Sequence, residues 1–198
     1  MNNTLYIEPH SGIAGDMFVA AMSGFFPDLN FLYDGLNSLP IKDEFSIHFK
    51  DVSKNGIAAK LFRVETNQPD SHQHNRTLDQ ITSIISKADK ITPKAKETAI
   101  SIFKRLAEAE AIVHGTSSSH VHFHEVGAID TIVDITGAVI GLSHLGVDRV
   151  VCSPLPMGRG FVQCAHGNLP LPAPAVCELL NDIPVYGVEQ EKELVTPT

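Results

Sequence analysis

Hydrophobic and polar positions alternate along the chain in patterns that predict both strands and helices. Residues 4–8 have the apolar content of a short strand, and helical spacing of apolar residues follows at about 16–26 and 28–39. Two alternating segments lie between residues 44 and 66 and are joined by an Asn-Gly pair, the strongest short hairpin signal. The first third of the chain therefore predicts a strand, two helices and a β-hairpin.

The middle of the chain is dominated by helical spacing. It predicts helices at about 77–88 and 128–145, and between them a longer helix that Thr92 caps and Gly115 ends. A short apolar run at 149–152 predicts a buried strand. Strands and helices mixed in this way predict the α/β class, with a mixed α+β arrangement as the alternative.

The last quarter of the chain has a different amino-acid composition. Residues 154–198 are rich in proline and glycine, with one short helix predicted near 175–180. We therefore divide the chain into a main α/β domain over residues 1–153 and an extension over residues 154–198 that packs on it. The abrupt end after an apolar run predicts a truncated chain that leads into a C-terminal domain it does not contain.

Composition excludes several classes of function. The chain has 198 residues with 15 Lys and Arg against 23 Asp and Glu, a net charge of −8, which argues against a nucleic-acid partner. No apolar run approaches the roughly 20 residues of a membrane span, and no signal peptide is visible. Three widely spaced cysteines, Cys152, Cys164 and Cys177, are typical of reduced thiols in a cytoplasmic protein. Ten histidines are the unusual feature and point toward a metal.

Three of these histidines alternate with apolar residues in a short stretch. If the stretch is a strand, His120, His122 and His124 share one face while Val121 and Phe123 point into the core. Imidazole is a suitable ligand for nickel, zinc, copper or iron. The alternative is a solvated edge strand with no metal.

Carboxylates follow the histidines directly. Glu125 adds an oxygen donor, and Asp130 and Asp134 lie four residues apart, so that both project from one face of the next helix. Such a group can complete a metal site or accept a proton in catalysis. The alternative is that Asp130 serves only the dipole at the start of that helix.

A glycine loop near the N-terminus joins the first predicted strand to the first helix. Ser11, Gly12, Gly15 and Asp16 lie in this loop, whose geometry can aim backbone N–H groups at a phosphate. The lysine of a P-loop is missing. The alternatives are a tight turn that needs glycine, with Asp16 either capping the helix or reaching into an active site.

Two weaker signals lie in the proline- and glycine-rich extension. Arg159 stands between two glycines and could clamp a phosphate or carboxylate. Cys164 and His166 offer a sulfur and an imidazole ligand, or else a buried thiol and a loop histidine.

Three longer motifs carry a resemblance to a known family. SGIAGDMF near the start, HFHEVGAIDTIVDITGA in the middle, and CAHGNLPLPAPA with ELVTPT near the end resemble the nickel insertion proteins of the nickel-pincer cofactor pathway. These chelatases act on pyridinium-3,5-bisthiocarboxylic acid mononucleotide. The resemblance covers essentially the whole chain in the right order. The positions that match the family motifs are Ser11, Gly12, Gly15, Asp16, His122, His124, Glu125, Asp130, Asp134 and His166.

The resemblance implies an activity and its partners. It implies a cytoplasmic, CTP-dependent cyclometallase of the lyase class that forms the nickel cofactor later used by lactate racemase. CTP and a divalent cation, Mn or Mg, would bind mainly to the C-terminal half, which would also be a partner of this chain and support a homo-oligomer. The family's His-rich tract shrinks here to His72 and His74.

The leading hypothesis is a metal-handling domain of a nickel insertase. His122 and His124 would hold nickel, with His120 and His166 as further candidates, and Glu125 or an aspartate would complete the shell or act as base. A second hypothesis is a metallochaperone or storage module that binds nickel without chemistry. A metal-dependent hydrolase is less favoured, because the histidines fall late in a short chain rather than on an early strand of a barrel.

Overall fold

A computed structural model of the chain describes residues 3–67, 76–118, 121–123, 128–164 and 167–198, with only the backbone of residues 122 and 164. Helices and strands are mixed along the chain, as predicted for the fold class. The strands are β1 (Thr4–Ile7), β2 (Phe45–Lys54), β3 (Ile57–Thr66), β4 (Arg76–Thr77), β5 (His122–Phe123), β6 (Arg149–Cys152), β7 (Leu155–Met157), β8 (Phe161–Cys164), β9 (Gly167–Pro170) and β10 (Val185–Gly187). The helices are α1 (Gly15–Ser23), α2 (Asn30–Asn37), α3 (Leu78–Lys87), α4 (Pro93–His114), α5 (Ile129–His144) and α6 (Pro174–Leu179), with a single 3₁₀ turn at Lys42–Glu44.

Local sequence signals account for the ends of the central elements. The hydroxyl of Thr92 accepts the N–H of Ala95 at the start of α4, and Gly115 ends that helix with a φ of 63°. The hairpin β2–β3 turns at Asn55 and Gly56, whose φ values of 53° and 81° suit this pair. These predictions are confirmed because each depends on a few neighbouring residues.

The described strands pair in twos. β1–β6 and β7–β10 are parallel, whereas β2–β3, β4–β5 and β8–β9 are antiparallel. The expectation that residues 149–152 form a buried strand is wrong, since most of β6 is exposed and Val150 keeps 48% of its surface. Its apolar character suggested burial, but in the part of the chain described here β6 pairs with β1 alone.

The main core lies between the β2–β3 hairpin and the helices. Buried residues from α1 to α5 and from both hairpin strands meet there, and the largest fully buried side chains among them include Phe62, Phe103, Phe123, Leu32, Leu36 and Ile132. Because α1 and α5 pack directly on each other, their N-terminal ends can share a site.

The extension contributes a smaller apolar cluster of its own. Leu155, Val176 and Val195 are buried together, with Ile13 from the N-terminal loop packed against them, and α6 packs on α4. A division of the chain at residues 153 and 154 stays a prediction. No helix within the described ranges has the length and apolar character that crossing a membrane would require.

Candidate functional site

Three aspartates meet where α1 and α5 begin. Asp16 lies in the first turn of α1 and is exposed, and Asp130 is exposed in the first turn of α5. Asp134 lies one turn further along α5 and keeps only 8% of its surface. The charges of Asp16 and Asp130 both act on Asp134, as expected if the two α5 residues share a face. We call Asp16, Asp130 and Asp134 the carboxylate cluster.

The backbone of α1 covers the buried member of this cluster. A Cβ added to Gly15 would lie 2.7 Å from the Cβ of Asp134 and 2.9 Å from its Oδ2, so only glycine fits. The backbone N–H of Asp16 donates a hydrogen bond to the Asp134 carboxylate. The Oδ1 of Asp134 is buried without a hydrogen-bond partner.

This environment favours the neutral form of Asp134. Burial is the largest cause, the negative charges of Asp16 and then Asp130 add to it, and the hydrogen bond from the Asp16 N–H opposes it. Together they raise the pKa of Asp134 from 3.8 to about 8. The carboxyl group therefore holds a proton at neutral pH and can exchange it at only slightly higher pH.

We expect Gly15→Ala to lower the free energy of unfolding by about 1–3 kcal/mol, because the added methyl group must push Asp134 or the α1 backbone aside. Urea denaturation measures this loss. Gly187→Ala is the matched control, since a Cβ there would meet nothing within 4 Å, and it should change stability by less than about 0.5 kcal/mol. Equal stability of the two variants would contradict the tight packing of Gly15 on Asp134.

The glycine loop is held by a segment near the chain's last residue. The N–H of Gly12 donates to the carbonyl of Pro9 at 3.0 Å, and the N–H of Ile13 donates to the carbonyl of Leu194 at 2.8 Å. Gly12 has a φ of 101°, and any side chain there would collide with the Leu194 carbonyl. The motifs SGIAGD and ELVTPT are thus packed together.

This packing bears on the phosphate-binding role expected for the loop, which stays a prediction. A phosphate-binding site formed by the N–H groups of Gly12 and Ile13 is disfavoured, because both groups already donate to carbonyl oxygens. The N–H of Asp16 is engaged by the Asp134 carboxylate, and the carboxylate cluster would repel an anion. Ser11 is exposed beside the loop. The loop also aligns Gly15 and Asp16 against Asp134.

The backbone around Arg159 also packs closely on a segment that is distant in sequence. Its N–H donates to the carbonyl of Gln190 at 2.9 Å, and a Cβ on Gly158 would collide with the Lys192 carbonyl. The glycine therefore serves backbone packing, while the Arg159 side chain is exposed and open to a ligand. Anion binding by Arg159 stays a prediction.

The histidine motif is described only in part. β5 exists, and Val121 and Phe123 are 3% and 2% exposed, which confirms that the alternate residues point into the core. His120, His124, Glu125 and His166 lie outside the described residues, as do His72 and His74. Within the described ranges no three His, Cys, Asp or Glu side chains are arranged to hold a metal ion. The metal ligands therefore stay predictions.

Sequence reasoning missed the pairing of Asp16 with Asp134. The available signal was Gly15, because a glycine directly before a helical aspartate permits a neighbouring helix to approach closely. It also missed an ion pair between the buried Arg76 and the partly exposed Glu44, whose Nη2 and Oε2 atoms are 2.6 Å apart. The two residues are 32 positions apart and carry no motif.

Comparison with known proteins gives a consistent result. The family model described as nickel insertion protein matches residues 5–198. A putative nickel insertion protein of Desulfotalea psychrophila is 43% identical over 198 residues, which is 100% of this chain and 50% of the relative. A pyridinium-3,5-bisthiocarboxylic acid mononucleotide nickel insertion protein of Desulfitobacterium hafniense is 44% identical over 193 residues, 98% of this chain and 47% of the relative.

A relative with the same substrate in its name occurs in Staphylococcus saprophyticus. It is 40% identical over 198 residues, 100% of this chain and 49% of the relative. The chain thus spans about half the length of the curated relatives it matches. No solved structure matches it.

Proposed function

The chain belongs to the nickel insertion protein family, and from that premise we propose that it handles nickel for insertion into pyridinium-3,5-bisthiocarboxylic acid mononucleotide. The substrate is taken from the names of the relatives. Since the chain matches about half of each relative, we propose that it is the metal-handling half of a longer nickel chelatase of the lyase class.

The observation that carries this proposal is the carboxylate cluster, whose helix α5 begins soon after the histidine strand in sequence. Only five residues separate β5 from the start of α5, so at most about 20 Å of chain joins Phe123 to Ile129. We propose that His122 and His124 hold the nickel substrate, with His120 and His166 as further imidazole donors. Neutral imidazole nitrogens suit nickel, and the negative charge of the exposed Asp130 attracts a cation.

Insertion also requires a proton acceptor. A carbon–nickel bond replaces a carbon–hydrogen bond of the pyridinium ring, so the ring proton must leave. We propose that Glu125, Asp130 and Asp134 receive it. Asp130 is reachable at the surface, whereas Asp134, with a pKa of about 8, can accept the proton only in the minor fraction that is ionised at neutral pH.

We extend the proposal to the nucleotide, the divalent cation and the use of the product. CTP and a divalent Mn or Mg ion would bind mainly to the half of the relatives that this chain does not match, and the product would serve lactate racemase. Arg159 is the exposed cation offered to the mononucleotide phosphate or a carboxylate. A cytoplasmic location and a homo-oligomer complete the proposal.

A chimera tests the proposed chemistry. This chain replaces the matching half of the Desulfitobacterium hafniense relative, and conversion of the mononucleotide to its nickel form is followed with nickel and CTP present. We expect conversion, and we expect Asp134→Asn to lower the rate by about 10²-fold or more while nickel still binds. Asp89→Asn, an exposed aspartate between α3 and α4, is the control and should keep the parent rate.

The same experiment separates the alternative function. A metallochaperone or storage module would bind nickel and convert nothing, even in the chimera. Nickel binding without conversion would therefore favour that second function and contradict the proposed enzyme. An Asp134→Asn rate equal to the parent rate would exclude Asp134 from the proton transfer.

A further inference from the structure

An apolar cleft of about 340 Å³ opens between β1 and α1. Its walls are β1 with the loop that follows it and one side of α1. Three apolar side chains that line it are largely exposed, Tyr6 at 57%, Met17 at 47% and Phe25 at 63% of their surface. Among the described residues that line it, Glu8 alone is charged. We call this feature the β1–α1 cleft, and a contiguous exposed apolar surface of this kind marks an interaction site.

The helix α1 is apolar on two opposite sides. Val19 and Ala20 are buried in the main core. Met17, Ala21 and Phe25 follow one another at intervals of four residues, so they lie on one face, and this face lines the cleft. A helix that is apolar on one side only needs a single partner, whereas one that is apolar on both sides belongs in a protein interior. The core covers the first side of α1, and the second side needs a further partner.

The strand on the other wall of the cleft is also incompletely covered. β1 and β6 form a parallel ladder, and none of the described strands pairs with the outer edge of either one. Parallel sheets are nearly always buried on both faces and contain more than two strands. Tyr6 on β1 and Val150 on β6 are nevertheless both exposed. The ladder therefore has the composition of a sheet that more protein covers.

The last residues of the chain lie at the rim of this cleft. Ile13, which lines the cleft, forms a parallel bridge with Val195, and its carbonyl accepts the N–H of Thr196 at 3.3 Å. These last residues therefore run in the same direction as the loop that leads into α1. Thr198 lies three positions after Val195, so at most about 11 Å of chain separates it from the bridge.

The relatives supply a specific occupant for the cleft. Each of them is about twice as long as this chain, which resembles their N-terminal half. In a relative that keeps this fold, the C-terminal half thus begins at the rim of the β1–α1 cleft. It is the nearest protein surface that can cover both the second side of α1 and the exposed ladder.

We propose that the β1–α1 cleft is the docking surface for the C-terminal half of the relatives, which this chain does not match. Apolar side chains of that half fill the cleft and cover Tyr6, Met17 and Phe25. The inference rests on the part of the proposed function that makes this chain one half of a longer nickel chelatase. Because Asp16 directly precedes Met17, docking also places the second half beside the carboxylate cluster.

Hydrogen–deuterium exchange tests the docking surface. It compares this chain alone with the chimera described above, in which the C-terminal half of the Desulfitobacterium hafniense relative follows it. We expect the protection factors of residues 5–9 and 17–25 to rise at least about tenfold in the chimera, because docking buries both walls of the cleft. The hairpin tip at residues 52–58 lies outside the cleft and is the internal reference. Unchanged protection at 5–9 and 17–25 would overturn the inference.

A single charge placed in the cleft should undo the docking. Phe25→Glu changes an exposed side chain, so the lone variant should keep the urea midpoint of the parent. In the chimera it should return residues 5–9 to the protection of the lone chain. Ile57→Glu is the matched control, since Ile57 is 72% exposed on the hairpin and lies outside the cleft, and it should leave the protection unchanged. If Phe25→Glu unfolds the lone chain, Tyr6→Glu decides in the same way.

A second copy of this chain is the other candidate occupant. Protection of residues 5–9 that rises with the concentration of the lone chain, and that the chimera does not increase, would overturn the inference in favour of self-association. If the chimera fails to fold, the intact Desulfitobacterium hafniense relative decides. Its segment that aligns with residues 5–9 should have a protection factor at least about tenfold above that of this chain, and equal values would overturn the inference.

The proposed function fails separately, because conversion of the mononucleotide is measured independently of exchange. A chimera that converts the mononucleotide without protection of the cleft overturns the docking surface alone. A chimera that protects the cleft without conversion supports the docking surface and contradicts the proposed enzyme.

Discussion

The Asp134→Asn variant should be more stable than the parent chain at pH 8, by several kcal/mol. Folding buries Asp134 against Gly15 and beside the charges of Asp16 and Asp130, which raises its pKa from 3.8 to about 8. A carboxyl group with a raised pKa binds its proton more tightly in the folded state than in the unfolded state. Between these two pKa values the parent therefore loses stability as the pH rises.

The size of the effect follows from the same shift. If the site does not relax, the ionisation of Asp134 lowers the parent's free energy of unfolding by about 5 kcal/mol at pH 8 and by less than about 2 kcal/mol at pH 5. Asparagine is neutral at both values and keeps an oxygen for the N–H of Asp16. The stability gain of Asp134→Asn over the parent should thus be larger at pH 8 than at pH 5.

Urea denaturation at the two pH values measures this difference. Asp89→Asn is again the control, because it removes one charge from an exposed site and should give the same small change at both values. A gain from Asp134→Asn that is absent at pH 8, or that is equal at pH 5 and pH 8, would show that Asp134 is ionised without cost in the folded chain.

The second large effect concerns nickel. Replacing either His122 or His124 by Ala should abolish stoichiometric binding, because two imidazoles on one strand face are the core of the proposed ligand set. Coordination needs neutral imidazole, so the parent should bind more weakly as the pH falls through about 6.5. Asp134→Asn should weaken binding much less than either histidine variant.

Calorimetry with nickel at pH 7.5 and pH 5.5 measures these affinities. His48→Ala is the matched control, since His48 lies on β2 and pairs with Glu65 across the hairpin at 3.5 Å. It should bind nickel as the parent does. If His122→Ala and His124→Ala bind as tightly as the parent at both pH values, the motif is only a solvated strand face.

Local structure was predictable from the sequence where neighbouring residues determine it. Thr92 with Pro93 starts α4, Gly115 ends it, and the Asn-Gly pair turns the hairpin, all through interactions within a few positions. The exposure of β6 was not predictable, because an apolar run does not reveal how many strands pair with it. Strand order depends on contacts distant in sequence.

Only the part of the candidate site that lies within one helix was predictable from the sequence. Asp130 and Asp134 share a face by helical period alone. The approach of Asp16 to Asp134 depends on the packing of α1 on α5, and the glycine loop is hydrogen-bonded to Leu194, which is distant in sequence. A glycine motif indicates that another part of the protein packs closely on the backbone, and only the fold shows which part it is.

X-ray absorption spectroscopy of the nickel-loaded chain tests the central claim most directly. We expect a first shell of nitrogen and oxygen donors with the outer-shell scattering of imidazole, and we expect the imidazole signal to decrease in His122→Ala and in His124→Ala. A shell of water oxygens without imidazole, or one dominated by sulfur, would contradict the assignment of nickel to this histidine strand.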